Sequence, residues 1–240
     1  TKCSLVWDTP QDYKVYNRLK AWSVRQECEN SLRRLNTDVI DLYQIHWPNP
    51  DADIEEGWTE IARLIEEGKV RYGGVSNFSV QQMRRAQAIH PIASLQPEYS
   101  MLAREPEYGL LAYCAENQIG VIAYSPMASG LLTGKYNRQK VAALPPTDWR
   151  VAKNEFFREP SLTVNLEMVE LLRPIAERNN RSLGELAVAW VLRRPEVTAA
   201  IVGARRPDQI AETAMAGDWV LSAGDQLAID SILEGRHGKE

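Results

Sequence analysis

The sequence predicts an α/β fold of the parallel β/α-barrel type, incomplete, with about six strand–helix units. Three observations predict it. Apolar runs of strand length recur at 2–6, 39–45, 70–75, 93–96, 120–124 and 199–202. Segments with helical periodicity separate them, and this alternation calls for parallel neighbours joined by right-handed crossovers. Several runs end on a polar residue, where the C-terminal rim of such a barrel places its chemistry. Six strands are two short of the eight that close a barrel. Apolar runs continue through all 240 residues without a polar linker, so 1–240 reads as one domain.

Taken in order, the run 2–6 opens the chain behind Lys2, and the run 39–45 leads into His46-Trp47-Pro48. An imidazole closing an apolar run just before a proline turn needs a reason, and imidazole is the side chain best suited to move a proton near neutral pH. His46 and Lys2 are therefore candidate catalytic residues; a hydrogen-bonded core histidine and a solvated terminal lysine are the structural alternatives. Asp53 is expected to cap a helix to about Glu67, with Ile54, Trp58, Ile61, Ala62 and Ile65 on one stripe and Gly68 as its stop. After the strand 70–75, Ser79 caps a helix over 80–89, closed by His90-Pro91. The strand 93–96 follows, then a helix over 105–117 that turns Leu110, Leu111, Tyr113 and Cys114 inward, then the strand 120–124. The stretch 136–163 has no regular pattern and contains Pro145-Pro146, Asp148-Trp149-Arg150 and Phe156-Phe157. Loops of that length usually serve a site, so a lid or binding loop is expected there. Helices over 166–178 and 183–192, the strand 199–202 and a helix over 208–215 complete the pattern.

The 28 basic and 32 acidic residues leave a net charge of −4 without a basic block, which argues against a nucleic-acid track or an anionic-membrane anchor. Cys3, Cys28 and Cys114 lack paired spacing for zinc or a redox disulfide, so no metal is expected and a reducing compartment fits. No apolar stretch reaches the roughly 18 residues of a membrane span, and the opening residues lack a signal-peptide pattern. A soluble cytoplasmic protein with a small-molecule partner is the expectation.

Five motifs in order carry a family likeness. They are Ser31-Leu32-Arg33-Arg34-Leu35 leading to Asp41-Leu42-Tyr43-Gln44-Ile45-His46-Trp47-Pro48; Gly68-Lys69-Val70-Arg71-Tyr72-Gly73-Gly74-Val75-Ser76-Asn77-Phe78; and Gln96-Pro97-Glu98-Tyr99-Ser100. Tyr124-Ser125-Pro126-Met127-Ala128-Ser129-Gly130-Leu131-Leu132-Thr133-Gly134-Lys135 and Gly203-Ala204-Arg205-Arg206-Pro207-Asp208-Gln209 follow. On these residues the chain resembles an aldo-keto reductase over essentially its whole length. The resemblance implies a (β/α)8 TIM barrel that reduces aldehydes or ketones to alcohols with NADPH, through an aspartate, a tyrosine, a lysine and a histidine.

Lys2 matches the family lysine and His46 the family histidine on the fourth strand. The aspartate and tyrosine match no position, so the chain is expected to begin at the third strand, to lack the first two strand–helix units and to be inactive as a fragment. In the family's roles, Lys2 lowers the pKa of the tyrosine and His46 orients the carbonyl oxygen. Ser76, Asn77 and Gln96 match the clamp on the nicotinamide carboxamide, and Tyr124 offers a flat face to the ring. Ser125, Pro126, Met127, Gly130 and Leu131 belong to the segment the family sets against the pyrophosphate, where small residues allow close backbone approach.

Gly203 and Arg205 sit between a strand and a helix that begins near Pro207, where amides and a cation meet a phosphate. Arg205 is the first choice for an adenosine 2′-phosphate, with Arg206 second. Gln209 and Glu212 match adenosine contacts; Thr213 stands where the family often has asparagine. Trp7 and Trp47, with Phe156-Phe157, are candidates for an apolar substrate mouth. The alternative to an enzyme is a non-catalytic NADP(H)-binding or regulatory module on the same fold, favoured by the unmatched aspartate and tyrosine.

Overall fold

In the computed structural model, which describes residues 1–7 and 14–237, the chain divides into two units. The first comprises Thr1–Pro97 and Glu107–Ile122, the second Glu98–Pro106 and Ala123–Glu240.

The first unit begins with a departure from expectation. The run 2–6 is not one strand but two, β1 (Lys2–Cys3) and β2 (Leu5–Val6), because Ser4 between them has φ 88° and turns the chain. β2 leaves as an antiparallel ribbon with β3 (Tyr16–Asn17), in register Leu5↔Asn17. Next comes α1 (Ala21–Leu35), which the periodicity did not reveal. Its buried residues are Ser23, Val24, Cys28 and Ser31, all small and two of them serine, so no strong apolar stripe marks it. Strands β4 (Ile40–Ile45), β5 (Val70–Ser76), β6 (Ser94–Gln96) and β7 (Gly120–Tyr124) alternate with helices α2 (Ile54–Glu66), α3 (Val80–Gln87) and α4 (Leu110–Glu116). β1, β4, β5, β6 and β7 are parallel neighbours, with Lys2 opposite Gln44, Ile40 opposite Val70, Gly74 opposite Ser94 and Ser94 opposite Gly120.

α2 owes its place to Ile54, Trp58, Ile61 and Leu64, all fully buried; the Trp58 indole donates to His90 O at 3.0 Å. Asp53 does not cap it. The carboxylate instead accepts from Lys20 Nζ at 2.8 Å, and a 3-10 turn, Asp51–Asp53, leads into the helix. Gly68, at φ 75°, supplies the left-handed exit. Ser79 does cap α3, in a reciprocal pair with Gln82. α4 is shorter than expected because Gly109, at φ 98°, separates it from the turn Glu105–Glu107.

The second unit holds α5 (Arg138–Ala142), α6 (Trp149–Lys153), α7 (Ser161–Arg178), α8 (Leu183–Leu192), β8 (Val197–Ile201), α9 (Pro207–Ala214) and α10 (Ala223–His237). The stretch 136–163, expected to be an irregular lid, contains α5, α6, the turn Glu155–Phe157 and the start of α7. Asn137, Asp148 and Asn154 each cap one of these short pieces with a side-chain oxygen. Five residues make fewer than two turns, too few to show a 3.6-residue period. Every residue of α8 from Leu183 to Val191 is buried, and Ser182 and Glu185 form its capping box. α10, also unannounced by periodicity, is anchored by Ile229 and Leu233 and by Asp225, which accepts from Arg178 Nε at 2.9 Å.

Candidate active site

Parallel pairing aligns strand ends, so the polar residues that end the first unit's strands collect together. Ile45 lies opposite Val75 and Ser76 opposite Gln96, which puts His46 beside the Ser76-Asn77 step. Asn77 takes a left-handed φ of 61°, and its Nδ2 donates to His46 O at 3.1 Å and to Ser76 Oγ at 3.1 Å. Ser76 Oγ in turn donates to Gln96 O at 2.7 Å. Beneath them runs a buried chain: Gln96 Nε2 donates to Gln44 Oε1 at 3.1 Å and Gln44 Nε2 to Ser94 Oγ at 3.2 Å. Gln44 and Ser94 are site-supporting residues that sequence reasoning missed; their signal was a polar residue inside an apolar strand.

The Lys2 ammonium acts on His46 electrostatically. Partial burial pushes the His46 imidazole below its ordinary value, and the Lys2 ammonium pushes it the same way. Burial also lowers Lys2. His46 is therefore neutral at pH 7, a hydrogen-bond donor rather than a charged acid. Its ring lies nearly parallel to that of Trp47, with centroids 6.2 Å apart. Trp47 is 38% exposed and Trp7 60% exposed. Phe157 is buried, edge-on to Tyr136 at 5.3 Å, and so packs rather than facing a substrate.

The second unit contains a cavity of about 800 Å³, within the range of cofactor pockets. Tyr124, Ser125, Pro126, Met127, Gly130, Gly203, Arg205, Gln209 and Glu212 all line it. Leu131 does not; its side chain is fully buried behind the loop. The loop after Tyr124 is conformationally costly: Ser125, Ala128, Ser129, Gly130 and Gly134 all have positive φ. Non-glycine residues in that region cost about 1–3 kcal/mol each and gather at functional sites. The cavity also takes Gly184, Lys135 from the end of the Tyr124 motif, and Tyr136, Trp149 and Arg150 from the stretch 136–163 expected to serve a site. Gly184 opens α8, and a Cβ there would come 3.6 Å from Met127 Sδ. Burial, and after it the Glu98 carboxylate, pushes the Tyr124 phenol up to about 12.

The cations around the cavity differ in availability. Arg150 is held by Asp148 at 2.9 Å and lies over the Tyr136 ring. Arg206 is chelated by Asp208, Nε to Oδ1 at 3.1 Å and Nη2 to Oδ2 at 3.0 Å. Among the described residues Arg205 has no carboxylate partner, while its backbone N–H donates to Gln209 Oε1 at 2.7 Å. This donor set fits an anionic, phosphorylated dinucleotide. Among the described residues no group of three or more His, Cys, Asp or Glu side chains is placed to hold a metal ion, and no helix is long and apolar enough to cross a membrane.

Comparison with known proteins agrees with this chemistry. The model of the aldo/keto reductase family matches residues 1–234. An aldo-keto reductase of Bacillus subtilis (strain 168), YhdN, is 38% identical over 235 residues, 98% of this chain and 69% of that protein. The NADH-specific methylglyoxal reductase of Escherichia coli (strain K12) is 33% identical over 244 residues, 98% of this chain and 73% of that protein. The solved structure of a glycerol dehydrogenase from Gluconobacter oxydans matches with a TM-score of 0.90 at 34% identity, over 98% of this chain and 71% of that one. The fold class is α/β, of the (β/α)8-barrel type of these relatives. The chain belongs to the aldo/keto reductase family.

Proposed function

We propose that the chain belongs to an NADPH-dependent oxidoreductase that reduces aldehydes or ketones to alcohols. The observation that carries the NADPH reading is Arg205, a cavity cation with no carboxylate partner among the described residues, two residues before a helix N-terminus. Lys135 is a second such cation on the cavity wall. The strained loop after Tyr124 lines the same cavity, and its small residues would allow the close approach that a pyrophosphate requires. Tyr124 offers the ring face for the nicotinamide; Ser76, Asn77 and Gln96 carry the amide and hydroxyl groups for its carboxamide. When bound, the cofactor supplies the hydride.

His46, neutral at pH 7, donates a hydrogen bond to the carbonyl oxygen and stabilises charge developing on it. Lys2, a partly desolvated ammonium, favours an anion nearby and so eases proton release from a phenol. Trp7 and Trp47 offer apolar surface to the substrate. The E. coli relative is NADH-specific by name, so the 2′-phosphate preference belongs to this chain's Arg205 and not to the family at large.

The tyrosine and aspartate of the family's catalytic four match no residue here, which favours a second reading: an NADP(H)-binding module without turnover. On the enzyme reading these 240 residues alone turn over slowly, since without the tyrosine as proton donor the rate falls about 10²–10⁴-fold; on the module reading they do not turn over at all. The test is to titrate the chain with NADPH by nucleotide fluorescence, then to follow NADPH oxidation with a panel of aliphatic and aromatic aldehydes. Oxidation that His46→Ala abolishes supports the enzyme; saturable binding without oxidation supports the module. Absence of NADPH binding removes both.

A further inference from the structure

We propose that Ser4 and Glu27 are positioning residues: Glu27 fixes Ser4, and Ser4 clamps together the two strand ends that carry Lys2 and His46. The inference deepens the assignment of Lys2 and His46 above and rests on it. Backbone pairing between β1 and β4 ends where His46 N–H donates to Cys3 O at 3.0 Å. One residue further the chain breaks away at Ser4, whose backbone turns to other partners: its N–H donates to Glu27 Oε2 at 3.0 Å and its C=O accepts from Arg18 N–H at 3.0 Å. The ladder nevertheless continues, through a side chain. Ser4 Oγ accepts from Trp47 N–H at 3.2 Å and donates to Trp47 O at 3.4 Å. Lys2 lies two residues before this clamp and His46 one residue before its other half.

Two costs converge on the point. Ser4 is fully buried with φ 88°, a conformation that glycine adopts freely and serine does not. Glycine would satisfy the turn more cheaply but has no Oγ, so the hydroxyl is what the strained serine contributes. Glu27 on α1 is partly buried, and among the described residues it accepts hydrogen bonds from Ser4 N–H and from Ser23 Oγ, the latter at 3.1 Å. Burial pushes its carboxyl up to about 7 against the opposing pull of Ser23, Ser4 and Arg18. An acid whose carboxyl is raised by burial costs stability at neutral pH, and an apolar residue in its place would leave the Ser4 N–H orphaned.

The test is an NMR titration of the His46 imidazole, assigned with His46→Ala, in wild type, Ser4→Gly, Glu27→Leu and Glu27→Gln, with thermal unfolding of each. Loosening the clamp admits water to His46, so Ser4→Gly and Glu27→Leu should move its pKa up from the depressed value toward the ordinary 6.5. Glu27→Gln keeps an acceptor for Ser4 N–H and should leave it in place. Folded Ser4→Gly and Glu27→Leu variants that titrate like wild type, whatever their Tm, overturn the proposal. So does a Glu27→Gln shift as large as that of Glu27→Leu. If Ser4→Gly does not fold, the two Glu27 variants decide between these outcomes. A shift as expected, combined with carbonyl-dependent turnover that His46→Ala leaves untouched, upholds the clamp and rejects His46 as catalytic.

Discussion

Removing the Arg205 guanidinium separates the two nicotinamide cofactors, and the arrangement of its neighbours sets how far. Arg206 is chelated by Asp208 through two bonds of 3.0–3.1 Å, so recruiting it to a phosphate means breaking that pair first. Arg205 is exposed and among the described residues has no such pair to break. A charge-assisted hydrogen bond contributes about 1.5–3 kcal/mol, or one to two decades in Kd. Exposure and salt screening put the effect at the lower end, about tenfold near physiological ionic strength and more at low salt. Arg205→Ala should therefore weaken NADPH about tenfold and change NADH by less than about threefold, while Arg206→Ala should change either by less than about threefold. The assay is fluorescence titration of both cofactors against both variants at two salt concentrations. Equal losses for NADPH and NADH, or a larger NADPH loss in Arg206→Ala, would show that the phosphate is not held by Arg205.

Glu27→Gln tests the cost of the buried acid: because the folded chain holds the Glu27 proton more tightly than the unfolded chain, its contribution to stability is full below about pH 4.3 and lost as pH rises to about 7. The variant should match wild type in denaturant midpoint near pH 4 and exceed it by about 1–3 kcal/mol at pH 8; equal midpoints at both pH values would contradict the burial argument. Lys2→Met and His46→Ala should each lower kcat for carbonyl reduction by more than about tenfold, read by steady-state kinetics in any form of the protein with measurable turnover. Gly74→Ala should cost about 1–3 kcal/mol in a denaturant melt, because its Cβ would overlap Ser94 Oγ and come 3.1 Å from Gln44 Cγ.

The strands were legible because short runs dense in Val, Ile, Leu and Tyr recur between helical segments, even though Asp41 and Gln44 interrupt 39–45 and Arg71 interrupts 70–75. α2 was legible for a related reason: its apolar residues recur at helical spacing and a left-handed glycine ends it. α1 was not, since Ser23, Cys28 and Ser31 pack against neighbours on size rather than on hydrophobicity. Nor were α5 and α6, whose five residues are ordered by side-chain caps at Asn137 and Asp148 instead of by a stripe.

By itself, the sequence determined the alternation of the main parallel strands with α2, α3, α4, α7, α8 and α9, the polar residues that end several of those strands and, through five motifs, the family. Those are local properties, written in the spacing of neighbouring residues. The tertiary structure alone decided that Ser4 breaks the first strand, that Gln44 and Ser94 hydrogen-bond beneath Gln96, that Lys135 and Arg150 reach the same cavity as Arg205, and that Arg206 is tied to Asp208 while Arg205 is not. Each of these depends on which partner lies across a contact, and backbone torsion and side-chain pairing set that only once the chain is folded.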